Sequence, residues 1–388
     1  MQSGDGYLEE KQMHKKNFLI VTASIGSGHV KAAEAVAHEI KTKYADASIR
    51  IVDFMSGETS WINALMKQCY LKMLDFVPNL YEFLYNFTGG HAGGGLVQGV
   101  LSAVMKRNMA SLVRRYAPDA VICTHPFPAG AAASLKSSCQ QGFLFATLIT
   151  DYSVHQMWVY HNVDVYFVAR EQMKADLMAE GLEQASIIVS GIPVDRSFGD
   201  AIPREESLER LGLCGELPVV LIMGGGLGLG GMDFALSQLE KQSERLQILV
   251  VAGRNQALLK KVQRFATASH HIVRAWGYTD EVRLLMSASS FLISKPGALT
   301  ITEALTAGLP VLLHEPIPGP ETDNAVYMAA CGTALWIRSD ERLAGAIAEL
   351  LHHPEQLQQM RERAAACRHP RAAACIVDEL VHRMAADH

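Results

Sequence analysis

The residues able to do chemistry lie in four short polar or glycine-bearing stretches. Gly26-Ser27-Gly28-His29 ends on a histidine, whose near-neutral proton affinity suits a general base. Its glycines permit close backbone approach to a ligand, and the helix that follows favours anions at its start. The alternative for His29 is a helix-start histidine making a single hydrogen bond. Gly224-Gly225-Gly226-Leu227-Gly228-Leu229-Gly230-Gly231 carries six glycines in eight positions, exposing backbone N–H groups that can cradle a phosphate. In Ser294-Lys295-Pro296-Gly297-Ala298-Leu299-Thr300-Ile301-Thr302-Glu303, Thr300 precedes Glu303 by three residues, the spacing of a capping box. The functional alternative sets backbone amides against a pyrophosphate and the Glu303 carboxylate against the two vicinal hydroxyls of a ribose. A proline-stiffened loop, Glu315 to Asn324, then presents Glu321 and Asn324.

Some chemistry is disfavoured by the same stretches. The glycine run lacks the GK[ST] ending of a Walker loop, and Lys31 breaks the GxGxxG fingerprint in the first turn. No acidic residue is placed about 20 residues on as a dinucleotide site needs, so an NAD enzyme is not expected. There is no DxD pair, and metal dependence is not expected either.

These stretches sit between elements that read as repeated β-α units. Asn17–Ala23 is a continuous apolar run without alternation, as in a parallel strand buried on both faces. A helical pattern follows from Lys31 to Tyr44. Further strands are expected at 49–54, 120–123, 145–149, 163–169 and 187–190, and a second series at 219–223, 247–252, 272–275, 290–293 and 311–313. Alternating strands and helices indicate an α/β fold with parallel sheets. Two similar series joined near residue 200 predict two Rossmann-like domains facing across a cleft, with ligands at the carboxyl ends of the strands. The expected division is a tail over 1–15, domains over 16–200 and 201–368, and a C-terminal helix over 369–388.

Composition narrows the class. The chain has 388 residues, 49% hydrophobic and 19% charged, with a formal net charge of −5 and a pI near 6.3. That excludes a disordered or collagenous chain and argues against a nucleic-acid binder. Seven cysteines show no CxxC and no regular spacing, which reads as reduced thiols in a cytosolic protein without a zinc framework. The first residues lack the apolar core of a signal peptide, and no stretch reaches the roughly 18 apolar residues of a membrane span. The mean hydropathy is nonetheless positive, +0.09. Between Trp61 and Phe87 stand seven aromatics, Phe83, Tyr85 and Phe87 among them, and Trp61–Arg115 carries net charge +4. Aromatics with basic residues on helical segments suit an interfacial contact with an anionic membrane. A pair of core helices joined by a glycine-rich loop is the other reading.

The motifs together carry a resemblance. SKPGALTITEAL…AGLPVLLHEPIPGPETDNA is similar to the donor-binding signature of the diacylglycerol glycosyltransferases, the bacterial processive diacylglycerol β-glucosyltransferases and plant monogalactosyldiacylglycerol synthases. TASIGSGHVKAAEAV resembles their N-terminal His motif, and Thr150 to Trp158 resembles their TD-x-x-x-H-x-x-W motif. The likeness runs from about residue 16 to 370 with the three motifs in order.

The resemblance implies a GT-B fold and an inverting transfer of glucose or galactose from a UDP-sugar to diacylglycerol. The UDP-sugar is then a substrate, and no cofactor is implied. His29 becomes the favoured base, with Asp151 its partner or the base itself. Gly225 and Gly226, with Gly297, Ala298, Leu299 and Thr300, are implied at the diphosphate, and Glu303 at the ribose. Gly253, Arg254, Asn255 and Tyr278 are implied near the uridine, and Glu321 and Asn324 at the sugar. The family often has Gln where this chain has Pro320. His155 and Trp158 either shape the acceptor pocket or support its loop. The expected place is cytoplasmic, peripheral on the inner face of the cell membrane. Alternatives are a GT-B enzyme with another acceptor such as an undecaprenyl-linked intermediate, a UDP-sugar epimerase, and a non-catalytic UDP-sugar sensor.

Overall fold

A computed structural model describes residues 15–24, 27–55, 96–138, 142–200, 202–228, 231–316 and 319–386. Phe83, Tyr85 and Phe87, with most of the aromatic segment, lie outside the described residues.

The first half contains strands β1 Asn17–Thr22, β2 Ser48–Asp53, β3 Ala120–Cys123, β4 Leu144–Leu148, β5 Val165–Val168 and β6 Ile187–Val189. Its helices are α1 Gly28–Lys43, α2 Leu96–Tyr116, α3 Pro126–Lys136 and α4 Glu171–Ala179. The second half contains β7 Val219–Met223, β8 Gln247–Val251, β9 Ile272–Trp276, β10 Phe291–Ser294, β11 Val311–Leu313 and β12 Ala334–Trp336. Its helices are α5 Arg204–Leu211, α6 Met232–Leu239, α7 Gln256–Ala266, α8 Val282–Ala288, α9 Ala298–Ala307, α10 Pro320–Ala330, α11 Leu343–His352 and α12 Pro354–Cys367, and α13 Ala372–Ala386 ends the chain.

Both sheets are parallel throughout, in the orders β2-β1-β3-β4-β5-β6 and β12-β11-β10-β7-β8-β9. The apolar runs become strands because helices cover both faces: β3, β4, β5, β7, β8 and β10 are buried along their length. β12, Ala-Leu-Trp, is a further strand that the sequence pattern did not bring out. In each sheet the strand order reverses once, between β1 and β3 and between β7 and β10, and ligands of open α/β sheets bind at such points. After those four strands come Ser27 with the first turn of α1, Thr124–His125, Gly224–Gly228 and Lys295–Gly297.

Two boundaries differ from expectation. α1 starts at Gly28, so His29 lies in its first turn. α9 starts at Ala298 with Gly297 as N-cap and no side-chain cap bond, so the capping box of Thr300 and Glu303 does not form. The Pro296-Gly297 turn launches the helix three residues earlier, which places Thr300 inside it, 9% exposed.

The last helix does not stay with the second half. α13 packs its Ile376, Val377 and Leu380 into the core shared with the first half. Lys43 of α1 pairs with Asp378 at 2.8 Å, and Arg383 donates to the Asp164 and Ala185 carbonyls at 3.0 and 2.6 Å. The chain returns past Gly191, where a Cβ would stand 2.3 Å from that of His369.

Candidate active site

At the reversal point of the first sheet, the His29 ring is held by two threonines. Its Nδ1 lies 2.8 Å from the Thr124 carbonyl and 2.7 Å from the Thr150 hydroxyl. A carbonyl only accepts, so the proton sits on Nδ1 and the lone pair on Nε2. The Thr124 hydroxyl donates to the His29 carbonyl at 3.0 Å, tying the base of the ring to β3 as well. Burial drives the pKa of His29 down to about 4, with the Thr124 carbonyl opposing. The imidazole is therefore neutral at pH 7 and available as a base.

His125 packs edge-on against His29, ring centroids 4.6 Å apart at 77°. It is 6% exposed, and its Nδ1 accepts the Phe127 N–H as the cap of α3. Burial, and then the neighbouring His29, push its pKa well below the ordinary value. Sequence reading missed Thr124 and His125. The signal was available, a Thr-His pair directly after the β3 run.

Asp151, one residue past the threonine that holds His29, is described with a different partner: the Asn324 amide donates to it at 3.4 Å. Burial raises its pKa to about 6, the Asn324 bond opposes, and Glu321 adds to the rise. Asn324 itself is fully buried. Its Oδ1 accepts the Tyr152 N–H at 2.9 Å and its Nδ2 also donates to the Pro296 carbonyl at 3.2 Å. The amide thus stitches the halves together at the cleft. Tyr152 completes the seam, its hydroxyl 2.8 Å from that of Thr302 and its ring stacked on Tyr327 at 4.6 Å. His155 is half-buried at the cap of a short 3-10 turn, and burial lowers its pKa. Trp158 is 2% exposed and belongs to the core, so its ring supports the loop.

At the reversal point of the second sheet, three backbone features meet. Gly225 takes a positive φ of 67°, and a Cβ on it would lie 3.9 Å from Lys295 Cε. The amides of Ala298, Leu299 and Thr300 open α9 and have no intrahelical acceptor. Lys295 pairs with Glu321, and Gly297 lies against that pair, its hypothetical Cβ 3.3 Å from Nζ. Lys295 belongs to the Ser294–Glu303 stretch, and only the fold reveals its pairing with Glu321. The position combines a cation, a helix N-terminus and a glycine turn, all suited to a diphosphate.

The residues expected near a uridine converge on the β8 and β9 loops. Gly253, φ 58°, lies where a Cβ would meet the Gly226 carbonyl at 2.7 Å, so the two loops are mutually fitted. Arg254 donates its N–H to the Gly226 carbonyl at 3.0 Å and lays its guanidinium over the Tyr278 ring at 5.2 Å. Tyr278 is 46% exposed, an open aromatic face. The Asn255 side chain is spent on structure: it caps α7 by accepting the Leu258 N–H at 2.9 Å and donates to the Gly228 carbonyl at 3.3 Å.

Glu303 lies in the second turn of α9, half-buried, and burial raises its pKa to about 7. It lines an interdomain cavity of about 390 Å³ with Leu299 and with Lys31 of α1. Elsewhere, Glu240, His270 and His271 cluster in a way that could hold a metal. His271 is buried, however, and commits Nε2 to the Leu239 carbonyl at 2.9 Å and Nδ1 to the Leu246 N–H at 3.2 Å. Its ring has no lone pair left for an ion.

Comparison with known proteins supplies the rest. Residues 29–194 match the family model of monogalactosyldiacylglycerol (MGDG) synthase, and residues 219–376 match the glycosyltransferase family 28 C-terminal domain. The chain is 30% identical over 363 residues to the processive diacylglycerol beta-glucosyltransferase of Bacillus cereus (strain B4264), covering 94% of this chain and 92% of that one. The figures are the same for the protein so named from Bacillus mycoides (strain KBAB4). Among solved structures, MurG of Acinetobacter baumannii superposes with a TM-score of 0.62 at 18% identity, covering 95% of this chain and 100% of that one. The S. aureus MnaA-UDP co-structure gives 0.65 at 13%, covering 95% and 97%. These last two establish the architecture, a GT-B fold of two Rossmann-like halves.

Proposed function

The chain belongs to the diacylglycerol glycosyltransferase family, and from that premise we propose that it transfers a hexose, glucose or galactose, from a UDP-sugar to the hydroxyl of diacylglycerol, with inversion at the anomeric carbon. The observation that carries the chemical part of this reading is the His29 ring, neutral and bound through Nδ1 to the Thr124 carbonyl at 2.8 Å. Nε2 takes the proton of the acceptor hydroxyl as its oxygen attacks the anomeric carbon. The bond from that carbon to the diphosphate oxygen breaks, and UDP leaves with the electron pair. Its growing charge meets Lys295 and the backbone amides opening α9. The reaction as proposed needs no metal, because that cation and those amides occupy the leaving-group role.

Nucleotide recognition falls to Glu303 for the ribose hydroxyls and to Tyr278 with Arg254 for the base. Glu321, beside Lys295, is suited to the sugar hydroxyls. The membrane side is supported by α2, whose Arg107, Arg114 and Arg115 are exposed while Met109 and Val113 face the core. Among the described residues no helix is long and apolar enough to cross a membrane.

The test is incubation of the purified protein with diacylglycerol-containing liposomes and, separately, UDP-glucose and UDP-galactose, with lipid products read by mass spectrometry. A β-hexosyl-diacylglycerol from one donor supports the reading and identifies the sugar. Product only with an undecaprenyl-linked acceptor, epimerised nucleotide sugar, or donor binding without any turnover would replace it with the corresponding alternative.

A further inference from the structure

The interdomain cavity brings a residue of the first half to the nucleotide side of the cleft. Its walls come from both halves: the first with Lys31, Glu34 and His38 of α1 and with Asp195, the second with Asp280, Arg283 and Glu303. Lys31 pairs with Glu34 at 2.9 Å and holds its ammonium 6.0 Å from the Tyr278 ring centre. Tyr278 therefore has Arg254 of its own half and Lys31 of the other beside one ring. Leu299, next to the helix start, also lines the cavity and touches Gly28 at 3.4 Å from its hypothetical Cβ, so the walls are continuous with the glycine turn before His29.

We propose that Lys31 is a donor-positioning residue, a cation from the acceptor half that faces Glu303 across this cavity and makes α1 part of the nucleotide site. This rests on the assignment of Glu303 to the ribose. Two charges act on that carboxyl in opposite senses. Lys31 favours its ionised form and Asp195 disfavours it, while burial disfavours it most. A carboxylate accepts from both vicinal hydroxyls, whereas the protonated acid gives up one acceptor site. Lys31 thus opposes burial and shifts the ribose acceptor toward its binding form. Because Lys31 is two residues from His29 on the same helix, it also links donor occupancy to the placement of the base.

The experiment is calorimetric binding of the UDP-sugar that proves to be the donor, or UDP-glucose in its absence, from pH 5.5 to 8.5. These diesters do not titrate there, so the pH midpoint of affinity reports the protein. Lys31→Met is expected to weaken binding on the order of tenfold at pH 7, the size of one charge-assisted interaction, and to move the midpoint to higher pH. Lys31→Arg restores both. Asp195→Asn, which keeps its capping oxygen for the Ser197 N–H, moves the midpoint to lower pH. A midpoint unmoved in Lys31→Met while Glu303→Gln abolishes the pH dependence overturns the role of Lys31 and leaves Glu303 at the ribose. Unchanged binding in Glu303→Gln overturns the ribose assignment itself.

Discussion

Ser27 and Gly226 come from different halves of the chain, yet a Cβ on Gly226 would stand 2.6 Å from the Ser27 hydroxyl. Ser27, at the start of α1, and the glycine loop after β7 are therefore packed against each other. The φ of Gly226 is not in the left-handed region, so space alone forbids a side chain there.

Gly226→Ala is expected to cut turnover at least tenfold, because a misplacement of about 1 Å at a reacting site can cost that much and more. Removing the obstacle as well, in Ser27→Gly/Gly226→Ala, returns most of the rate. Steady-state kinetics of both variants decide it; equal damage in the single and double variants would mean the alanine acts elsewhere.

His29→Ala is expected to lower transfer by roughly 10² to 10⁴, the usual worth of a general base, with nucleotide affinity retained. Thr150→Val keeps the shape but removes the hydroxyl 2.7 Å from Nδ1, and a smaller loss in kcat with unchanged donor KM is expected. Loss of UDP binding in His29→Ala would mark His29 as a structural or donor residue.

Lys295→Ala is expected to slow the chemical step by roughly 10² to 10³, as when one electrostatic contact to a developing charge is lost. The substitution also breaks the pair with half-buried Glu321, so Lys295→Met/Glu321→Gln separates charge loss from destabilisation. Addition of EDTA to the wild type is expected to leave the rate unchanged; a loss restored by a divalent cation would refute the metal-free leaving-group scheme.

Glu303 provides a pH signature in stability as well as in binding. Its folded carboxyl holds a proton up to about pH 7, against an ordinary value of 4.5. Between those limits the folded state binds more protons than the unfolded one, so stability falls as pH rises through the window. Glu303→Gln cannot ionise. It is expected to raise donor KM roughly tenfold or more and yet to show a higher Tm than wild type at pH 8, with no gain at pH 4. Thermal melts across that range check it; a lower Tm at pH 8 would show that the carboxylate is paired.

Arg107→Gln/Arg114→Gln/Arg115→Gln on the exposed side of α2 is expected to weaken binding to anionic liposomes, at about 1 kcal/mol per cation near the surface. Sedimentation at low salt reads it, and full binding in the triple variant would remove α2 from the interface. Phe83→Ser/Phe87→Ser tests the aromatic segment independently.

The sequence by itself determined the architecture and the placement of its glycine loops. Unalternated apolar runs of strand length bounded by turn signals, such as 120–123 and 219–223, fit parallel strands covered on both faces, and that needs no knowledge of distant contacts. Glycine turns directly after β1 and β7 were legible as well, since strand ends and helix starts are local features. Tertiary structure alone decided which polar groups are free to act. Asn255 and Asn324 look alike as polar loop residues, but one is consumed in capping a helix and the other in joining the halves. Likewise Thr124 and Thr150, 95 and 121 residues from His29, hold its ring, the Thr124 carbonyl setting its tautomer, and Lys31 shares a cavity with Glu303 only because the halves close on each other. Hydrogen-bond partners and desolvation depend on what the fold brings within a few ångströms, and spacing along a chain carries no record of that.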